Sequence, residues 1–208
     1  MADLSLTNTI LTGKYSIVTE RRAATTARLL TTAAELFAGR AYSDVSVDQI
    51  AQEAGVTKMT FYQHFQSKDE LALECLRMRL RRREEILDAF LDGLDPRADS
   101  VLAIFDWLEE WLDPKRFKGC AFVKAVNELS VDLPQVQEIA LEAKQKVRQR
   151  FSALARRSGK RRPDELAQEL ALLFEGAQSL ALVECSSRPA QVARRVARLL
   201  LQTCARDA

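Results

Sequence analysis

Glycine and proline are scarce, at seven and five residues in a chain of 208, roughly half the share of an average globular protein. That scarcity excludes collagen-like, low-complexity and turn-dense all-β chains. The single histidine is His64. The four cysteines, Cys75, Cys120, Cys185 and Cys204, make no CxxC pair and have no local histidine partner, so no metal-ligand spacing is present. A glycine-rich phosphate loop and a strand scaffold for an elbow serine are also missing. Nothing asks for catalysis, and the expectation is a non-enzyme with no cofactor and no metal. The longest uncharged run, residues 4–13, is interrupted by Ser, Thr and Asn and falls short of a membrane span. Without the basic-then-apolar layout of a secretory signal, the cysteines read as free thiols in a reducing cytoplasm. A balance of 31 basic against 29 acidic residues excludes both a histone-like polycation and an acidic tail protein.

What is present is an ordinary globular composition, 47% hydrophobic and 29% charged, with enough apolar surface to offset chain entropy. The breakers fall between stretches of helical periodicity. Pro96, Pro114, Pro134, Pro163 and Pro189 all do so, and six glycines lie at or near such junctions, leaving only Gly176 inside a helical pattern. This placement predicts an all-α chain. About nine helices are expected, near residues 20–39, 46–53, 57–64, 68–91, 97–112, 119–131, 135–157, 164–186 and 190–205. Residues 1–19 are Thr/Ser-rich and weakly periodic and read as a disordered extension. Residues 20–66 form a first domain and 67–208 a second. No internal repeat of solenoid length is visible.

Residues 46–65 read SVDQIAQEAGVTKMTFYQHF. Ser46 followed by Gln49 has capping-box spacing, and Val47, Ile50 and Ala51 form the inner face of a two-turn helix. Gly55 supplies the backbone freedom for a sharp turn, and Thr57 is placed to cap the next helix. Small Ala51, then Gly55, then apolar Phe61 is the spacing of a helix-turn-helix, with Ala51 small because the second helix crosses close above it. The outer side of that second helix carries Lys58, Met59, Thr60, Tyr62, Gln63 and His64, with no acid from Ala54 through Ser67. Such a face suits a phosphate-lined groove, although a solvated helix that lacks acids by chance reads the same. Residues 1–70 carry a net charge of −1, so any field that attracts DNA must be local and two copies must act together.

The stretch Arg28–Leu71, including LFAGRAYSDVSVDQIAQEAGVTKMTFYQHFQSKDEL, resembles the N-terminal DNA-binding domain of TetR-type transcriptional repressors. The resemblance implies an all-helical homodimer whose first three helices bind an operator, with a larger C-terminal domain for effector and partner. By position in the motif, Ser46, Thr57, Tyr62, His64 and Lys68 contact phosphates, while Lys58, Met59, Thr60 and Gln63 approach base edges. Phe37, Val47, Ile50, Ala51, Phe61 and Phe65 are core. Two positions depart from the pattern. Ala41 stands where the family usually has glycine, so a left-handed turn there shifts onto Gly39 or costs some stability. Met59 replaces a common glycine and adds an apolar side chain that either meets a thymine methyl or holds the helix off the bases.

In the C-terminal region, Leu166, Leu170, Leu173, Phe174, Ala177 and Ala181 recur at three-and-four spacing, with Leu172, Leu180 and Leu182 off that stripe. The last helix repeats the trait with Val192, Val196, Leu199, Leu200 and Leu201. Helices apolar on more than one side bury a second face against a partner or form a deeply buried pair within one chain. The expected dimer interface comprises Leu166, Leu170, Leu173, Phe174, Ala177, Ala181, Val192, Val196, Leu199 and Leu200. The segment FKGCAFVKAVNELSV, residues 117–131, resembles one branch of TetR-like C-terminal domains. Phe105, Trp107, Trp111, Cys120, Phe122, Asn127, Phe174 and Gln178 are the expected lining of an effector pocket, apolar walls with a few fixed polar groups, or else ordinary core. Cys120 also invites a redox-sensor reading, with Lys118 and Lys124 close in sequence. Arg77, Arg79, Arg81, Arg82 and Arg83 circle the fourth helix, solvated or paired with Glu84 and Glu85.

The resulting expectation is a cytoplasmic regulator, released from a near-palindromic double-stranded DNA operator by a small-molecule effector of unknown identity. No membrane partner is expected. The opposing reading is a helical dimeric ligand carrier or adaptor with a vestigial helix-turn-helix.

Overall fold

The helix breakers decide where each element of this chain begins and ends. A computed structural model describes residues 5–95 and 99–204, so Pro96 lies outside the described residues. Among the described residues nine α-helices follow one another: α1 (Ser5–Gly39), α2 (Val47–Glu53), α3 (Lys58–His64), α4 (Lys68–Asp92), α5 (Ser100–Trp111), α6 (Ala121–Leu129), α7 (Gln135–Arg157), α8 (Pro163–Glu184) and α9 (Arg188–Thr203). A 3-10 turn at Tyr42–Asp44 separates α1 from α2. No strand occurs among the described residues, and the expected all-α class holds.

Local chemistry explains the starts. Asp99 accepts from the N–H groups of Val101 and Leu102 at 3.0 and 3.2 Å and opens α5, satisfying donors the helix cannot satisfy itself. Pro163 and Pro189 sit in the first turns of α8 and α9, where a missing N–H costs nothing. Two sequence expectations fail here. From Ser5 onward the expected extension is the first part of α1, because Gly13 is the only breaker before Gly39 and one glycine does not stop a helix. Ala41 adopts φ −65° and ψ 147°, and neither it nor Gly39 is left-handed. The chain leaves α1 in extended backbone, so the β-carbon of Ala41 carries no strain.

The chain divides into two compact units, residues 1–75 and 76–208, with the division inside α4. In the first unit α1 packs on α2 and α2 on α3, around Leu29, Val45, Ile50, Ala51, Phe61 and Leu71, all buried. In the second, α7 and α8 pack together, α9 covers α8 and α5, and α6 lies on α7. Phe105 stacks on Phe151 with centroids 5.6 Å apart, and Phe151 meets Phe174 edge-on at 6.2 Å.

The apolar stripes of α8 and α9 are divided differently from the expectation. Leu166, Leu170, Phe174, Ala177 and Ala181 point into the core of their own unit, because α7 and α9 flank α8 and cover that face. Leu173 and Leu200 are partly buried against the same core. What α8 leaves exposed is Leu172, Leu180, Leu182 and Val183, and α9 adds Val192, Val196 and Leu199. Gly176 lies on the exposed side, and a β-carbon there would meet nothing within 4 Å. This double-sided character makes α8 long and apolar enough to cross a membrane by length and composition alone, a property it shares with core helices packed on two sides.

Gly119 enters α6 with φ +89°, and a β-carbon there would lie 2.9 Å from Leu182 Cδ2. Backbone strain and close approach coincide, so Gly119→Ala should cost about 1 kcal/mol or more. Urea unfolding should show a lower midpoint at an unchanged m-value. A variant as stable as the parent would refute the requirement for glycine.

Candidate nucleic-acid interface and effector pocket

The helix-turn-helix is built as its spacing predicts. Ser46 Oγ accepts from the Gln49 N–H at 3.1 Å, and Thr57 Oγ1 accepts from the Thr60 N–H at 3.1 Å. Gly55 turns left-handed at φ +65°, and the Val56 N–H closes the turn on the Ala51 carbonyl at 2.9 Å. Phe61 is fully buried, with Ile50 and Ala51 also in the core. Burying this ring fixes the rotation of α3 and turns the opposite face outward.

That outward face carries Lys58, Met59, Tyr62 and Gln63, with Ser46 and Thr57 exposed beside it and Thr60 half-buried. Met59 is 74% exposed, high for an apolar side chain, and it protrudes beyond its neighbours without contributing to the core. Lys58 Nζ donates to Asp48 Oδ2 at 3.0 Å. Both side chains are more than half exposed, so the pair is weak and easily exchanged. Its carboxylate partner raises the affinity of the Lys58 amine for its proton, so the side chain is cationic at any physiological pH.

His64 and Lys68 are engaged differently from the phosphate contacts expected of them. His64 Nδ1 shares a hydrogen bond with Thr26 Oγ1 at 2.8 Å, tying the end of α3 to α1. Burial first, and then the Arg22 charge, hold this imidazole below its ordinary titration range, so it is neutral at pH 7. Arg22 Nη2 donates to the Gln63 carbonyl at 3.4 Å and closes the same junction. Lys68 Nζ donates to the carbonyls of Tyr42 and Val45, both at 2.9 Å. It also lies 3.9 Å from the centroid of the Tyr42 ring. Burial lowers the Lys68 titration, with Asp69 opposing. Tyr42 donates to Asp69, and burial, followed by that hydrogen bond and charge, raises its phenol titration. Two of the three Lys68 donors are therefore committed to the backbone before α2. Sequence reasoning missed this latch because neither carbonyl belongs to a motif position.

The residues expected to line an effector pocket lie in several different settings. Phe105 is core, and Trp111 stacks on Trp107 at 5.2 Å. Phe122 lies under the Arg83 guanidinium, and Asn127 is exposed. Gln178 is buried, its amide donating to the Phe174 carbonyl at 3.5 Å. Cys120 accepts from Lys144 Nζ at 3.4 Å and has Lys144, on α7, as its neighbour, while Lys124 pairs with Glu128. Trp107 and Phe174 of the eight line a cavity in this unit. Its other walls are Arg83, Glu84 and Leu87 of α4, Ile104 of α5, and Lys146, Val147, Arg150 and Phe151 of α7. A signal existed in α7, where Val147 and Phe151 keep helical spacing with Arg150 between them.

Comparison with known proteins adds to this geometry. Residues 29–75 match the profile described as bacterial regulatory proteins, tetR family. The matched stretch contains the capped helix pair and its latch. Residues 29–75 thus form a tetR-family domain. Over 89 residues it is 36% identical to the HTH-type transcriptional activator FasR of Mycolicibacterium smegmatis, covering 39% of each chain. Over 85 residues it is 34% identical to the HTH-type transcriptional repressor KstR2 of the same organism, covering 39% of this chain and 42% of that one. The match thus spans about two-fifths of these relatives' length. The structure of SCO4454, a TetR-family transcriptional regulator from Streptomyces coelicolor, superposes with a TM-score of 0.80 at 26% identity. It covers 88% of this chain and 97% of that one. Among the described residues, no group of His, Cys, Asp and Glu is arranged to hold a metal ion.

The two reassigned residues give two predictions for this tetR-family domain. Lys68→Met removes a charged donor from two carbonyls and should destabilise the first unit by about 1–3 kcal/mol, read from chemical unfolding; an unchanged midpoint would remove the latch. For His64, the unfolded chain takes up protons near pH 6.5 while the folded imidazole resists them. Stability is therefore full above pH 6.5, falls as pH drops through that value and levels off below the folded titration. His64→Gln should flatten this component between pH 7 and 5, and an identical pH profile in the variant would reject it.

Proposed function

We propose that the chain is a DNA-binding transcriptional regulator, acting as a homodimeric repressor in the cytoplasm and released from its operator by a small-molecule effector. The observation that carries the reading is α3, a capped helix with an acid-free outer face and a fully buried Phe61 behind it. Lys58, Met59, Thr60 and Gln63 approach base edges in the major groove. Ser46, Thr57 and Tyr62 take phosphates, and His64 and Lys68 act by holding α1, α3 and the loop before α2 in register. Lys58 exchanges Asp48 for DNA at little cost because the pair is solvent-exposed.

The second copy docks on the exposed sides of α8 and α9. Leu172, Leu180 and Val183 of one and Val192, Val196 and Leu199 of the other supply apolar surface, and exposed Gly176 allows a partner helix to come close. Two copies set two reading helices about one DNA turn apart. The effector binds within the second unit and favours the dimer with the wrong spacing; a preference of about 5.5 kcal/mol moves a 1:99 population to 99:1.

Selection from a random oligonucleotide pool should return a near-palindromic site whose affinity falls steeply with salt. Lys58→Ala should relax base preference. Leu172→Glu should convert the dimer to a monomer by sedimentation and abolish operator binding. A pool with no enriched sequence would favour a ligand carrier or adaptor and sink the regulator reading.

A further inference from the structure

The cavity lined by Trp107 and Phe174 in the second unit has two chemically distinct halves. Its floor is Leu87, Ile104, Trp107, Val147, Phe151 and Phe174, all buried, with the Trp107 and Phe174 rings parallel within 5° at 6.5 Å. Its mouth is Arg83, Glu84, Lys146 and Arg150, where Lys146 pairs with Glu142 and the two arginines meet at Glu84. That carboxylate is shared. Glu84 Oε1 accepts from Arg83 Nη2 at 3.2 Å, and Glu84 Oε2 accepts from Arg150 Nη2 at 3.3 Å. Arg83 also donates to the Ala143 carbonyl at 2.9 Å, and Arg150 pairs with Asp88. The Arg83 and Glu84 side chains are only 11% and 19% exposed. Ion pairs this far from water are costly unless geometry and further hydrogen bonds compensate.

We propose that this cavity takes an amphipathic monocarboxylate, an aromatic or aliphatic acid whose carboxylate binds Arg150 and Arg83 while its apolar body enters between Trp107, Phe151 and Phe174. The proposal rests on the effector reading given above and names the ligand class for it. Glu84 is the chain's own stand-in for the ligand head group. It already bridges two guanidiniums, the fork donors that match a carboxylate in geometry and charge. A cationic ligand is disfavoured because Glu84, the acid that lines the cavity, is already doubly paired. An acid that replaces Glu84 on Arg83 and Arg150 keeps both guanidiniums paired with a carboxylate, which a neutral head group does not do. The present cavity, about 10 Å³, holds about one water, far below the roughly 300 Å³ or more of a ligand site. The acid therefore enters only as α4, α5, α7 and α8 part. Because Arg83 and Glu84 both belong to α4, displacing Glu84 from Arg150 releases a tie between α4 and α7.

The test is thermal shift and calorimetry on the full chain, with phenylacetate, indole-3-acetate and octanoate compared with their carboxamides. At millimolar concentration at least one acid should raise Tm, while its amide does not. Arg150→Gln should weaken binding of that acid about tenfold. Glu84→Gln, which removes the internal competitor, should tighten it by a similar factor, and it keeps the test open if the arginine variant fails to fold. Acid and amide binding equally, or no acid binding, would overturn the proposal, as would tighter binding in Arg150→Gln. Operator affinity is a separate readout. Acid binding that leaves it unchanged supports the site and overturns the effector role. Release of DNA by a neutral compound alone overturns the acid class and leaves that role standing.

Discussion

The Lys68 ammonium, at the first residue of α4, is clamped between the carbonyls of Tyr42 and Val45. A cation at a helix N-terminus opposes the helix dipole, and Asp69 and Glu70 in the same turn offset it. The arrangement persists because leaving would strand a half-buried charge and two carbonyls without partners. Its consequence is geometric. Val45 is fully buried and directly precedes Ser46, the cap of α2, so the start of α4 and the start of the helix-turn-helix move as one piece. His64 and Thr26 close the other end of the domain in the same way, neutral group to neutral group. The exposed face of α3 is thus oriented by contacts that never touch it.

Apolar surface on α8 follows a comparable logic of two faces. The inner stripe packs against α7 and α9 and is satisfied within the chain. The outer stripe, with Leu172 74% and Val183 80% exposed, is not, and no charge interrupts it from Gly176 to Val183. Exposed apolar surface collected on two adjacent helices departs from the scattered single residues of an ordinary surface. In the proposed dimer a second copy offers the same surface in return, which is what a two-fold interface requires.

Legibility from sequence tracked how local the physics is. Caps, the Gly55 turn and the Ala51–Phe61 crossing depend on residues a few positions apart, so the helix-turn-helix could be read directly. The α8 periodicity marks two apolar sides, but it states which residues share a face without stating what covers each. The cavity was the least legible. Its walls come from four helices spread from Arg83 to Phe174, and aromatic content drew attention to Phe105 and Trp111, which pack as core and rim. The same limit hid the Lys68 latch, whose acceptors are backbone atoms and carry no side-chain signature.

The closed state of the cavity bears on how a ligand could act at all. A ligand shifts an equilibrium only by its differential affinity for the two states. A preformed pocket that fits its ligand without rearrangement offers almost none. Here the floor is packed nearly shut and the mouth is tied by Glu84 to both arginines, so any apolar body that enters must move helices to do so. The differential affinity is then built into the absence of space. Glu84 adds specificity to that requirement, because its tie from α4 to Arg150 of α7 is a carboxylate–guanidinium contact and yields most readily to another carboxylate. The residues that keep the cavity closed and those that would recognise its occupant are the same, which is the minimum needed for recognition and switching to be one event.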